Sequence, residues 1–141
     1  MASWLWLAGL AAALYGAHQV FTKLASGHIG SGVGGLVVET TAAATILVWL
    51  IYSKLAGTWV KPVSLRGVGW SVATGLCVGT GTVVFFMLFQ RGAPLSAVPA
   101  ILAVGAALMA IVGMLLFREP LSLSRATGVV LSLVGLYLLR K

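Results

Sequence analysis

The sequence contains very little charge for its length, and negative charge is almost missing from it. Only 8% of its 141 residues are charged, whereas a soluble domain usually has about 25%. Aspartate does not occur, and the two acids are Glu39 and Glu119. Hydrophobic residues make up 60% of the chain, and its mean hydropathy is +1.10. A soluble core of this size could not bury so much apolar surface, so we expect lipid to be the solvent for much of the chain.

Cysteine is also scarce, and the groups that most enzymes need are missing. The single cysteine, Cys77, excludes an intramolecular disulfide framework and a thiolate metal site. The sequence offers no metal-ligand spacing and no nucleophile beside an oriented base, so it argues against an enzyme and gives no sign of a cofactor or metal. The net charge of +7 comes from nine Lys and Arg residues that stand one to three at a time between apolar runs. That distribution is typical of membrane proteins and excludes a nucleic-acid patch.

Five apolar runs are long enough to cross a bilayer as helices, which takes about 20 residues. The loops between them contain glycines, prolines and basic residues, and Pro120 disfavours helical geometry at Glu119, which separates the last two runs. The sequence therefore predicts an all-α integral membrane protein with one domain over residues 1–141. The five predicted transmembrane helices cover residues 4–24, 33–53, 67–90, 95–117 and 123–139.

The basic residues do not select an orientation for five spans. One side of the membrane would receive five of them, Lys54, Lys61, Arg66, Arg118 and Arg125, and the other side four, Lys23, Arg91, Arg140 and Lys141. Because orientation depends on a Lys/Arg imbalance, this split leaves two interpretations. Either an insertion factor or the first helix resolves a weak bias, or the chain inserts both ways and forms an antiparallel homodimer. We favour the dimer, because many transporters are built from inverted repeats.

One face of the first predicted helix is polar. Its side chains recur at positions i, i+3, i+4, i+7 and i+8, which lie on one side of a helix, and they are Tyr15, His18, Gln19, Thr22 and Lys23. Polar side chains within a membrane helix usually face the bundle or a wet cavity. The face is therefore either the wall of a substrate path or a set of interhelical hydrogen bonds that hold the bundle together.

Glu39 is the one acid inside a predicted span. An acid at the membrane centre costs about 3 kcal/mol on insertion scales, which favours a functional role. Burial favours the neutral acid, whereas a neighbouring cation favours the carboxylate. A purely structural alternative is an ion pair with Lys23, which closes the first helix on the side where the second begins. Transport coupling, together with His18, is the interpretation that we prefer.

The depth of Glu39 argues against a carboxylate pair shared at the membrane centre. With the second helix centred near Ala44, Glu39 lies about 7 to 8 Å from the midplane, and the two copies of an antiparallel dimer would differ in depth by about 15 Å. We therefore expect Glu39, Lys23 and His18 to cluster near each mouth of the path. Neutral groups would line its middle, which suits a small polar or amphipathic metabolite; besides Tyr15 they are Thr41, Thr45, Thr80 and Thr82.

Glycine and proline add two further predictions. Gly75 and Gly79 are spaced to permit close contact between helices. Pro99, one turn into the fourth run, removes a backbone hydrogen bond and is a candidate for a kink that opens a cavity.

Several short motifs resemble a known family. They are Pro94-Leu95-Ser96-Ala97-Val98-Pro99, Phe117-Arg118-Glu119-Pro120-Leu121-Ser122, Thr127-Gly128, Val134-Gly135-Leu136-Tyr137-Leu138-Leu139, Leu14-Tyr15-Gly16 with Lys23, and the glycine-rich stretch from Gly75 to Gly81. Together they look like an EamA domain, the five-helix repeat of the drug/metabolite transporter superfamily. Most members have two such repeats, so a chain with one repeat implies pairing. The small multidrug resistance proteins of the superfamily have their glutamate on the first helix, whereas here the acid is on the second.

The resemblance implies a secondary transporter of small metabolites or drug-like compounds that works as a dimer by alternating access. Dual topology is predicted from the split of the basic residues, and proton coupling is predicted from Glu39 itself and not from the resemblance. The resemblance also implies a multi-pass protein of a prokaryotic plasma (inner) membrane. The alternative is a non-transporting half-size subunit or scaffold that pairs with another half-size membrane protein.

Overall fold

All regular structure in the described residues is helical. The computed structural model describes residues 4–58, 63–118 and 123–138. Its α-helices are α1 (Trp4–Ser26), α2 (Ser31–Leu55), α3 (Leu65–Gln90), α4 (Val98–Phe117) and α5 (Leu123–Leu138), with a 3-10 turn, Leu95–Ala97, before α4. The all-helical prediction is thus confirmed, and helices occupy each of the five predicted segments.

Three helical segments in the described residues are long and apolar enough to cross a membrane. They are Ser31–Leu55, Leu65–Gln90 and Leu95–Phe117, the last of which includes the 3-10 turn. α1 has 23 residues, but its polar side chains, among them His18, Gln19 and Lys23, lower its hydropathy. α5 spans 16 described residues. The chain is therefore a membrane-spanning helical protein.

Local sequence explains where the helices begin and end. Ser64 precedes α3 and its side chain accepts a hydrogen bond from the Gly67 amide, at 3.1 Å, as a helix N-cap does. Gly57 and Gly92 follow α2 and α3 with φ of 68° and 87°, a conformation that glycine adopts without steric cost. Arg118 ends α4 with φ of 50° and is the positive-φ residue other than glycine in the described part of the chain.

Residues 1–92 form one compact unit, in which α1, α2 and α3 pack against each other. Burial is confined to the end of this unit where α1 finishes, α2 starts and α3 finishes. Every residue in 4–17, 40–52 and 63–78 is exposed. The buried side chains and glycines at the packed end are Gln19, Thr22, Ser26, Gly34, Gly35, Thr82, Phe86 and Phe89.

Residues 93–141 form a second unit, in which α4 packs against α5. Pro99 lies in the first turn of α4, where the missing amide of proline costs no helical hydrogen bond. The predictions made on Lys61, Glu119, Pro120, Arg140 and Lys141 fall outside the described residues, and the side chain of Arg125 does as well.

Candidate functional site

Glu39 and Thr82 join α2 to α3 by a hydrogen bond. The Thr82 hydroxyl oxygen lies 2.6 Å from Oε1 of Glu39. Thr82 is only 5% exposed, and Glu39 is half-buried. Both residues belong to helices that are long and apolar enough to cross the membrane. The acid of a candidate span is therefore held by a neutral hydroxyl group on a second candidate span.

Two glycines of α2 bring its backbone close enough to α3 for this contact. A Cβ built on Gly34 would lie 2.5 Å from Cε1 of Phe86, and one built on Gly35 would lie 2.8 Å from Cγ2 of Val83. Real Cβ atoms do not approach other heavy atoms so closely, so a side chain at either position would force Phe86, Val83 or the helices themselves to shift. Glu39 lies one turn after Gly35, on the same face of α2. The glycine contact and the Glu39 contact thus belong to one helix interface.

The polar side chains of α1 differ in whether they have a hydrogen-bond partner. The hydroxyl of Thr22 donates to the His18 carbonyl at 2.8 Å, and that of Ser26 donates to the Lys23 carbonyl at 2.7 Å. These bonds lie within α1 and do not hold it to another helix. Oε1 of Gln19 and Nδ1 of His18 are buried without a hydrogen-bond partner. Unsatisfied buried polar atoms are rare, so this part of α1 is where a bound water or substrate would gain most.

Lys23 and Glu39 do not form the structural ion pair that the sequence offered as an alternative. The Lys23 ammonium stands 5.1 Å from the centroid of the Phe89 ring on α3, within the range of a cation–π interaction. Glu39 has Thr82 as its partner instead. Of the cluster predicted from sequence, Lys23 and Glu39 therefore lie in the same packed end of the unit but contact different residues of α3.

The predicted threonine lining divides into one buried and three exposed residues. Thr82 contacts Glu39, whereas Thr41, Thr45 and Thr80 are exposed, and the Thr45 hydroxyl donates to the Thr41 carbonyl. Tyr15 is 68% exposed. A lining of the path by these exposed residues remains a prediction, since it needs a second surface opposite them.

Gly75 and Gly79 also lack a close contact with another helix among the described residues. No atom of the described residues lies within 4 Å of a Cβ built at either position. Within this chain the close helix contact is instead made by Gly34 and Gly35, which sequence reasoning missed. Their signal was available, because an adjacent glycine pair one turn before the acid is unusual in so apolar a helix. Close helix contact through Gly75 and Gly79 stays a prediction.

Hydrogen bonding also ties the first loop to α3. The side-chain amide of Gln90 donates to the Ile29 carbonyl at 2.9 Å, so the α1–α2 connection is attached to the end of α3. No group of three His, Cys, Asp or Glu side chains in residues 4–58, 63–118 and 123–138 could hold a metal ion. The polar groups at the packed end are thus the Glu39 carboxyl with its Thr82 partner, the Lys23 ammonium and the polar side chains of α1. No protein-family model, curated protein or solved structure matches the chain.

Proposed function

We propose that the protein is a secondary transporter of small polar or amphipathic molecules, metabolites or drug-like compounds, and that Glu39 couples transport to protons. The observation that carries this proposal is the Glu39–Thr82 contact between two candidate membrane spans. An acid held by a neutral partner inside a membrane helix can take up and release a proton, and such acids mark ion and substrate pathways. A purely structural acid would be expected to pair with a cation, as Lys23 offered.

The observed helix bounds support a position for Glu39 away from the membrane centre. α2 runs over Ser31–Leu55, so its middle is at about residue 43 and Glu39 lies about 6 Å from it along the axis. In an antiparallel pair the two acids would differ in depth by about 12 Å, so each would serve one mouth of the path. The transported molecule would pass neutral side chains between them, Tyr15, Thr41, Thr45 and Thr80.

The exposed half of the three-helix unit supports pairing with a second copy. Large apolar side chains are exposed there on α1, α2 and α3, and lipid or another protein must cover them. We propose that part of this surface faces an antiparallel copy of the same chain, with one EamA-like repeat contributed by each copy. Such a dimer would supply the inverted repeat that alternating access requires.

Transport by the purified protein in liposomes tests this proposal. Substrate-induced charge movement would be measured by solid-supported-membrane electrophysiology with a panel of small amino acids, polyols and amphipathic amines. We expect at least one class to give a current that depends on the pH gradient, and Glu39→Gln to abolish that dependence. The matched control is Glu119→Gln, which changes the only other acid of the chain and should retain the response.

Two results would contradict the proposal. If currents in Glu39→Gln still depend on pH, Glu39 does not couple transport to protons. Absence of any response from the homomer, with recovery on co-expression of another half-size membrane protein, would establish the subunit or scaffold function instead.

A further inference from the structure

An open groove near the start of α3 combines a cation, an aromatic ring and a floor of small residues. It has a volume of about 610 Å³ and is lined by Arg66, Gly69, Trp70 and Ala73. These residues recur at positions i, i+3, i+4 and i+7, so they share one face of the helix. All four are exposed, and no atom of the described residues lies within 4 Å of a Cβ built on Gly69.

The groove faces away from the helices against which α3 packs. The buried residues of α3 are Thr82, Phe86 and Phe89, and they belong to the side that contacts α1 and α2. Successive residues of a helix are turned by about 100°, which puts these three roughly opposite the groove. Because α3 is long and apolar enough to span a membrane, an outward groove on it is open to lipid.

The groups of the groove follow one another along α3 in the order in which a phospholipid presents its own parts. Arg66 is the second residue of the span Leu65–Gln90, at the level of the headgroups. At 1.5 Å per residue, Trp70 lies about 6 Å deeper and Ala73 about 10 Å deeper. The headgroup layer is about 5 to 7 Å thick, so the Trp70 ring reaches the ester groups, where tryptophan is enriched, and Ala73 reaches the acyl chains.

The charge around the groove is positive and has no acid to balance it. Lys54, Lys61 and Arg66 are close in sequence, and no acid occurs from residue 40 to residue 118. Lys54 is in the last turn of α2, at the end of the unit where α3 begins. The acid of the described residues, Glu39, is bonded to Thr82, which is about 24 Å further along α3 than Arg66. The Arg66 guanidinium therefore has no carboxylate within reach in the described part of the chain.

We propose that this groove binds an anionic phospholipid. Arg66 holds the headgroup phosphate, for which the planar guanidinium supplies two parallel hydrogen bonds, and one acyl chain lies over Gly69 and Ala73 beside the Trp70 ring. A zwitterionic lipid offers the same phosphate, but its cationic group is repelled by the basic residues at this end, so the anionic headgroup is preferred. The inference goes beyond transport and does not depend on it.

Native mass spectrometry of the full-length protein in detergent tests the inference. Phosphatidylglycerol and phosphatidylcholine with identical acyl chains would be titrated separately, and bound lipids counted per chain. We expect the wild type to bind phosphatidylglycerol at least about tenfold more tightly, and Arg66→Gln to remove that preference, as the loss of a charge-assisted hydrogen bond implies. Arg66→Lys keeps the charge without the paired donors and should retain part of the preference.

Two control variants separate the groove from general positive charge. Arg91→Gln removes the same charge just after the other end of α3 and should leave the preference unchanged. Gly69→Leu fills the floor of the groove while Arg66 stays in place, so it should weaken binding of phosphatidylglycerol. The chain leaves room for that side chain. Gly75→Leu, where a Cβ is equally open but on the side of α3 opposite the groove, should bind the lipid as the wild type does.

Equal binding of the two lipids by the wild type would overturn the inference, and so would equal losses in Arg66→Gln and Arg91→Gln or undiminished binding in Gly69→Leu. Glycerophosphoglycerol, which is the headgroup without acyl chains, tests the source of the phosphate. We expect it not to displace the lipid at equal concentration. Displacement would assign the groove to a soluble organic phosphate and refute the lipid site.

Discussion

Gly34 and Gly32 lie two residues apart in the first turn of α2, yet their surroundings differ. A Cβ at Gly34 would meet the ring of Phe86 at 2.5 Å, whereas nothing lies within 4 Å of a Cβ at Gly32. Phe86 is fully buried, so its ring cannot move out of the way into solvent. The same substitution should therefore have opposite effects at the two positions.

We predict that Gly34→Ala destabilises the packed end of the unit by about 1 to 3 kcal/mol, the usual cost of overpacking. Gly32→Ala should be neutral or stabilising, by up to about 1 kcal/mol, because alanine is the better helix former. Unfolding in mixed detergent micelles, followed by circular dichroism, measures both. Equal stability of the two variants would mean that the Gly34–Phe86 contact does not hold the helices together.

The pairing of individual residues was the part least accessible from sequence. Glu39 was identified because an acid in an apolar helix is rare, but Lys23 was the partner that charge alone suggested. Thr82 was one of four threonines with the same expected role. Only the register of α2 on α3, set by Gly34 and Gly35, selects Thr82 from them.

At the scale of helices, sequence identifies the elements better than the faces they present. The lengths of the apolar runs, together with helix-breaking residues such as those around Pro94, predicted the five helical segments. Apolar residues are spread around all sides of α2 and α3, so no stripe distinguishes a packed face from a lipid-facing one. The glycine pairs Gly34–Gly35 and Gly75–Gly79 were both available, and only interhelical geometry shows which pair contacts a helix of this chain.

The start of α3 depends on Ser64, and this gives a second stability prediction. Ser64→Ala removes the acceptor for the Gly67 amide and should cost about 1 kcal/mol. Ser64→Asp keeps an acceptor and should cost less. Hydrogen exchange of the amides of residues 65–67 would measure the effect where it occurs, and unchanged protection in Ser64→Ala would show that the cap is not needed.

At the scale of the whole molecule, the small residues of α3 form a line that no close helix contact among the described residues uses. Gly67, Ser71, Gly75 and Gly79 recur every four residues, and no Cβ built on the three glycines, apart from the Ser64 contact at Gly67, meets another atom within 4 Å. Lines of this kind allow close contact between membrane helices. They fit the proposed second copy.

We predict that Gly75→Leu together with Gly79→Leu raises the dissociation constant of the dimer in liposomes at least about tenfold, or about 1.4 kcal/mol, while the fold of one chain is preserved. Single-molecule photobleaching counts the copies. Gly69→Leu is the control, because Gly69 is also uncovered but lies on another side of α3. An unchanged dimer fraction in the double variant would place the interface elsewhere.

Antiparallel pairing needs its own test. After replacement of Cys77, one variant would have a single cysteine at the start of α3 and another a single cysteine at its end. In an antiparallel pair, the cysteine of one variant should cross-link to the cysteine of the other. Cross-links only between equivalent ends would establish a parallel pair and remove the dual-topology proposal.

The polar face of α1 has a consequence for biosynthesis. α1 leaves the ribosome before α2 and α3, yet α2 and α3, unlike α1, are candidate membrane spans by length and hydropathy. Gln19, Thr22 and Ser26 become buried only when the later helices are in place. We therefore expect the first helix to stay at the insertion machinery, or at the membrane surface, until α2 and α3 have been synthesised. Truncation after α1 should yield a segment that inserts poorly, and extension through α3 should restore its insertion.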